Sequence, residues 1–173
     1  MLTQLKSKTI SMRLIEEEDA EFVLGLRVDP KYNKHLSSVD NNLYKQIKWI
    51  KDYKYEESAG IQYYFIIEAD GRKCGTVRLY DFIGESFCWG SWILNKDKTR
   101  YAAVESALLV YRFGFEQLGF KKSNFEVRKE NTGVINFHKK FGAEVTEEDD
   151  NNVYFNYCME QYQASLEKYS KFL

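Results

Sequence analysis

The stretch Phe87-Cys88-Trp89-Gly90-Ser91-Trp92-Ile93-Leu94, followed by Asn95-Lys96-Asp97-Lys98-Thr99-Arg100 and then by Tyr101 to Leu118, decides the fold of this chain. Its first eight residues are rich in large apolar side chains and read as a strand. The next six are polar and largely charged, and read as a loop. Beyond them Val104, Ala107, Leu108, Tyr111, Phe115 and Leu118 recur at helical spacing, which predicts one buried face of a long helix. Gly119 suits its C-terminal cap. A strand that feeds a helix through a short loop aims unpaired helix N–H groups, and the positive end of the helix dipole, at whatever lies above the strand. Lys96, Lys98 and Arg100 add positive charge there. A phosphate-bearing ligand is the expectation that follows.

The flanking sequence supplies the rest of the order. Ile10, Met12 and Leu14 alternate with polar residues as a first strand, and Glu16 to Arg27 reads as a helix with Ala20, Val23, Leu24 and Arg27 on one side. Asp40 or Asn41 is expected to cap a second helix carrying Leu43, Ile47, Ile50 and Lys54 at helical spacing. Ile61 to Ala69 reads as a strand that meets Asp70-Gly71, a strong hairpin signal, and Lys73 to Phe82 returns. Gly84-Glu85 turns the chain into the strand ending at Leu94. After the long helix come a strand from Lys122 to Arg128 and a helix capped by Asn131 or Thr132, stopped by Gly142. Strands Ala143 to Thr146 and Val153 to Met159 follow, and a helix from Gln161 to Phe172 closes the chain.

The order β-α-α-β-β-β-α-β-α-β-β plus a C-terminal helix predicts an α/β (α+β) fold. It is a mixed, mostly antiparallel sheet of about seven strands with helices on both faces, in one domain over 1–173. The strand–helix–strand piece requires a parallel pair joined by a right-handed crossover.

With 173 residues, 44% of them hydrophobic and 16% aromatic, the chain can bury a real core. A net charge of -1 argues against a dedicated nucleic-acid binder. The first residues lack the apolar run of a signal peptide, and no stretch is long and apolar enough to span a membrane, so a cytoplasmic protein with no membrane contact is expected. Cys74, Cys88 and Cys158 are far apart and read as reduced thiols. With only His35 and His138, no metal site of plausible spacing appears.

The element order, with a phosphate-facing loop before the longest helix, resembles the GNAT (GCN5-related) N-acetyltransferase family over nearly the whole chain. The family's loop pattern, Gln/Arg-x-x-Gly-x-Gly/Ala, is matched by Lys98-Thr99-Arg100-Tyr101-Ala102-Ala103, aligned through Glu105 and Phe115. Tyr101 replaces the first glycine, which strains the backbone if that position needs a positive φ and costs little if helical geometry suffices. A second anchor runs from Asn131 to Gly142, with both ends matching and His138 where the family has a tyrosine general acid. Within the family, Leu26-Arg27-x-Asp29-Pro30-x-Tyr32-Asn33-x-His35-Leu36-Ser37, Gln46-x-x-Trp49-Ile50 and Ala102-Ala103-x-Glu105-Ser106-Ala107-Leu108-Leu109 are similar to bacterial nucleotide-linked amino-sugar N-acetyltransferases.

The resemblance implies acetyl-CoA as cofactor and a small-molecule amine as acceptor, in surface polysaccharide synthesis. Acetyl-CoA would be held by Trp92, Ile93 and Leu94 of a splayed strand, by Lys98, Arg100, Tyr101, Ala102 and Ala103 of the loop, and by Asn131 and Phe137. His138 would serve as acid or base, its ordinary pKa near ~6.5 suiting either role; on its helix it shares a face with Val134 and Phe141, so a core histidine is the other reading. Asp81 is the candidate amine base, or else a turn residue. For the acceptor, His35 lies with Lys34 and Ser37 in the candidate loop, Arg27, Lys34 and Arg78 are candidates beside the diphosphate, and Tyr63, Tyr64, Tyr80 and Trp89 for stacking, against surface charge and core aromatics respectively. Acetylation of a protein N-terminus or a polyamine, and a non-catalytic acyl-CoA-binding domain, are the alternatives. Tyr154-Phe155-Asn156-Tyr157 and the last helix offer either a homodimer contact or the last part of the core.

Overall fold

The computed structural model describes residues 4–173. Its strands are β1 (Gln4–Lys6), β2 (Ser11–Leu14), β3 (Tyr63–Ala69), β4 (Arg72–Ile83), β5 (Ser86–Leu94), β6 (Lys122–Arg128), β7 (Glu144–Glu148) and β8 (Asn152–Cys158). The helices are α1 (Ala20–Val28), α2 (Leu43–Ser58), α3 (Ala102–Tyr111), α4 (Thr132–Phe141) and α5 (Met159–Tyr169). The strands form one sheet in the order β1-β2-β3-β4-β5-β6-β8-β7, antiparallel except for β5 against β6. The mixed sheet and the parallel pair are as the sequence predicts, with eight strands in place of about seven. The added strand, β1, is three residues long, too short to display a period.

Alternation in β3 divides the core into two layers. Tyr64 and Ile66 face α1 and α2, packing with Ile15, Ala20, Val23, Ile50 and Tyr53. Phe65 and Ile67 face the opposite way, into the larger cluster that holds α3, Phe141 of α4 and Tyr162 of α5. Asp70 and Gly71 both take positive φ, as their hairpin turn demands. The cap of α2 is Asn42 rather than Asp40 or Asn41: its side chain accepts the N–H of Lys45. Phe155 and Tyr157 point into the core and are nearly inaccessible, so these two rings of the β8 segment complete the core.

The long helix departs from the expectation in two ways. Buried residues run consecutively from Glu105 to Tyr111, so α3 is enclosed on all sides instead of showing one apolar stripe. From Arg112 to Gln117 it widens into a π-helical turn, in which the N–H of Leu118 reaches back to the carbonyl of Phe113. Gly114 lies in that turn against the ring of Phe87, where a Cβ would come within 2.4 Å.

Candidate active site

β5 and β6 begin as neighbours and then part. Only Ser86 with Lys122 and Phe87 with Ser123 are paired; beyond them both strands present free edges to each other. On its other edge β5 stays bonded to β4, with Val77 opposed by two residues, Ser91 and Trp92. Ser91 sits at the apex of this bulge with φ 48°, and its carbonyl accepts the hydroxyl of buried Thr76 at 2.9 Å. The bulge bends β5 away from β6 and opens a cleft of about 630 Å³. Trp89, Gly90, Ser91 and Trp92 line one wall, and Phe125 to Arg128 with Asn131, Val134 and His138 line the other.

His138 forms part of the cleft's floor, enclosed by the rings of Trp89, Trp92, Phe125, Phe137 and Phe155 at centroid distances of 4.5 to 6.0 Å. It is 4% exposed, and its Nδ1 has no protein partner among the described residues. Burial pulls its pKa down to about 3, because no charge or hydrogen bond compensates the imidazolium for lost water. His138 is therefore neutral near pH 7. The aromatic cage disfavours the imidazolium that the acid role requires and leaves the base role open.

Asp81 is exposed, takes φ 50° in an irregular part of β4 beyond Tyr80, and does not line the cleft. The carboxylate that does line it is Glu126 on β6. The alternation of that strand puts Asn124, Glu126 and Arg128 on its exposed face, a signal present in the sequence but uninformative until the strand's neighbour was known.

Among the expected acceptor residues, Arg27, His35 and Tyr80 line the cleft, whereas Lys34 is exposed and does not. Trp89 reaches the cleft but is only 4% exposed, and its indole N–H donates to Tyr111 at 3.2 Å, so it is a fixed floor and not a stacking platform. A second pocket of about 400 Å³ adjoins the cleft. Arg27, Ser37, Arg78 and Ser91 line both, and Gln46, Trp49 and Tyr64 belong to the second alone. Arg27 donates to the carbonyl and the hydroxyl of Ser37 at 3.0 and 2.9 Å. Arg78 donates to Gln62 at 3.1 Å and lies 4.2 Å from the Tyr80 ring. The Nε groups of both arginines are buried without a protein acceptor among the described residues. Trp49 is 39% exposed and lies parallel to Tyr53, with Tyr64 edge-on behind, so it is an aromatic surface held from the rear. Trp49 and Glu126 are the site residues that sequence reasoning did not assign.

Of the residues expected to hold the cofactor, Trp92 lines the cleft and its indole donates to Ser106 of α3 at 3.1 Å, joining the cleft to that helix. Asn131 also lines it, and its side chain is not spent as a helix cap. Ile93 and Leu94 pair with Thr76 and Gly75 and do not line the cleft, and Phe137 stands behind Trp92. Tyr101 has φ -109°, so the missing glycine causes no backbone strain. Ala102 donates to the Thr99 carbonyl, while the N–H groups of Arg100, Tyr101, Ala103 and Val104 have no protein acceptor among the described residues. Lys96, Lys98 and Arg100 are exposed around them. Free strand edges, a cradle of N–H groups and three cations are what the amide arm and phosphates of a coenzyme A thioester need, so the residues present fit that group.

Comparison with known proteins agrees. Residues 10–144 match the model of the acetyltransferase (GNAT) domain. Among solved structures, apo FdhC, described as a nucleotide-linked sugar GNAT, is 49% identical with a TM-score of 0.92, covering 98% of each chain. RimJ of Mycobacterium smegmatis, in complex with CoA-disulfide, shares the fold at 14% identity and a TM-score of 0.81, over 97% of this chain and 95% of its own. The ribosomal-protein-S5-alanine acetyltransferase of Vibrio fischeri does so at 9% identity and 0.78, over 92% and 98%. No curated protein sequence matches. By its domain match and its architecture, the chain belongs to the GNAT family and is an N-acetyltransferase.

Proposed function

We propose that the protein transfers the acetyl group of acetyl-CoA to the primary amine of a nucleotide-linked amino sugar, in surface polysaccharide synthesis. The observation that carries this reading is the continuity of the β5/β6 cleft with the arginine-lined pocket. Arg27 and Arg78 border both spaces. Guanidinium groups so placed match a diphosphate, and Trp49 offers a supported face for a base. The similarity to FdhC, described as a nucleotide-linked sugar GNAT, supports the same acceptor class.

Bound coenzyme A thioester would supply an acyl carbon open to direct attack by an amine. The chain's own part is to hold and to solvate. Free N–H groups on the β6-facing edge of β5 would receive the negative charge that develops on the carbonyl oxygen. Glu126 would take the amine's proton, directly or through water, since it is the carboxylate facing the cleft. The thiolate, with an ordinary thiol pKa of ~8.5, needs little help to depart. His138, being neutral, would offer a hydrogen bond from the floor and not a charge.

Thiol release from acetyl-CoA across nucleotide-linked amino sugars, polyamines and N-terminal peptides tests the reading. Selective release with the amino sugars is expected. Selective release with peptides or polyamines would overturn the acceptor assignment, and release with none of them would overturn the catalytic one.

A further inference from the structure

We propose that Thr9 and Phe172, acting from outside the site, clamp the Asn95–Tyr101 loop in the shape that receives the pyrophosphate of coenzyme A. The inference rests on the acyl-CoA reading above. It starts from Glu105 in the first turns of α3, which is completely buried and has no cation against it among the described residues. A carboxylate in that position is tolerable only when hydrogen bonds replace its water. Three donors do so: the hydroxyl of Ser7 at 2.8 Å, the N–H of Thr9 at 2.6 Å, and the hydroxyl of Thr9.

This fixes the direction of a fourth bond. The Thr9 hydroxyl has one proton, and an ionised carboxylate can only accept it. The contact of 2.7 Å between the hydroxyls of Thr9 and Thr99 must then be donated by Thr99. The relay runs Thr99 to Thr9 to Glu105, and its first member lies inside the loop. The same β1–β2 turn also grips the end of the chain, because the N–H of Lys8 donates to the carbonyl of Phe172 at 2.9 Å. The Phe172 ring packs on Tyr101 at 4.8 Å with the planes inclined at 44°, and the guanidinium of Arg100 lies 5.3 Å from the Tyr101 ring.

The loop is thus held at Thr99 by a hydroxyl relay and at Tyr101 by a tilted aromatic contact. Between and just after these points lie the unpaired N–H groups of Arg100, Tyr101, Ala103 and Val104. Fixing them before binding removes an ordering cost from the association. Tyr101 is then not a defect in the loop pattern. It exchanges the freedom of glycine for an anchor on the chain's own terminus. Thr9 and Phe172 are positioning residues, acting through Thr99 and Tyr101.

The test is calorimetric titration of coenzyme A into the wild type, Thr9→Val, Thr9→Ser and Tyr101→Gly, with thermal unfolding of each. Thr9→Val keeps the Thr9 N–H and the Ser7 hydroxyl on Glu105, so it is expected to remain folded, with a lowered thermal midpoint, while its Kd rises about tenfold, the scale of a lost hydrogen bond in a charged network. Thr9→Ser keeps the hydroxyl and should bind within about twofold of wild type. Tyr101→Gly restores the family's glycine yet should bind about fivefold more weakly, for loss of preorganisation. Unchanged affinity in Thr9→Val, or tighter binding by Tyr101→Gly, would overturn the clamp. Failure of the wild type itself to bind coenzyme A would overturn the acyl-CoA reading, and the clamp with it.

Discussion

At the scale of single residues, His138 shows how burial decides chemistry. Its place in the sequence aligns with an acid, but five rings drawn from β5, β6, α4 and β8 surround it, and no local pattern announces such a cage. Its folded pKa of about 3 lies below the unfolded value of 6.5. Between those values the unfolded chain holds the proton and the folded chain does not. Stability is therefore complete above about pH 6.5 and falls on acidification by up to ~1.4 kcal/mol per pH unit toward pH 3. Asp19, bound by Arg13 and Lys73 and lowered to about 2, adds a further loss below its ordinary value of 3.8. In His138→Leu the slope of urea-derived stability between pH 6.5 and 4.5 should flatten; an unchanged slope would show that the imidazole is charged in the fold. Glu126→Gln should lower kcat by roughly 10²-fold or more with the thermal midpoint kept, if the carboxylate takes the proton. Full activity in that variant would remove Glu126 from the chemistry.

At the scale of elements, the amphipathic periods carried most of the fold. Asp70-Gly71 marked its hairpin and Gly142 its helix stop, because both need backbone conformations that few other residues adopt. What escaped was set by distant partners. A 3.6-residue period and a slightly wider one look alike over six residues, so the π turn of Arg112–Gln117 was invisible; within it Gly114 packs against Phe87 from another element. Gly114→Ala should destabilise the protein by about 1–3 kcal/mol through overpacking, read as a lower urea midpoint at unchanged m-value. The Ser91 bulge was equally hidden, since Ser91 carries no sequence mark of positive φ. Because that conformation is strained for serine, Ser91→Gly should match or exceed wild-type stability with the cleft intact. A large loss would mean that the Ser91 side chain itself holds the bulge.

At the scale of the whole molecule, the site lies where one parallel pair interrupts an antiparallel sheet. α1 and α2 cover one face, and α3 to α5 pack in the cluster on the other. The cleft at the splay meets residues from both layers: Arg27 of α1 and His35 from the segment after it, Asn131 and His138 from the other side. Of the residues the sequence reading named, Arg27, His35, Arg78, Tyr80, Trp89, Trp92, Asn131 and His138 line the cleft, whereas Glu126 and Trp49 were not assigned, because which edges and faces come to lie together is set by distant partners. Arg27→Ala and Arg78→Ala should each raise the acceptor's KM by about 10- to 100-fold with the acetyl-CoA KM little changed, as loss of a charged hydrogen-bonding partner predicts. An equal rise in both constants would point to a general collapse of the site.

The most direct measurement is the ratio of kcat/KM for a nucleotide-linked amino sugar to that for the same amino sugar without its nucleotide. Two guanidinium groups and a supported indole face predict a preference of about 10²-fold or more for the linked form. A ratio near one would contradict the account, because the arginine-lined pocket would then contribute nothing to recognition of the acceptor.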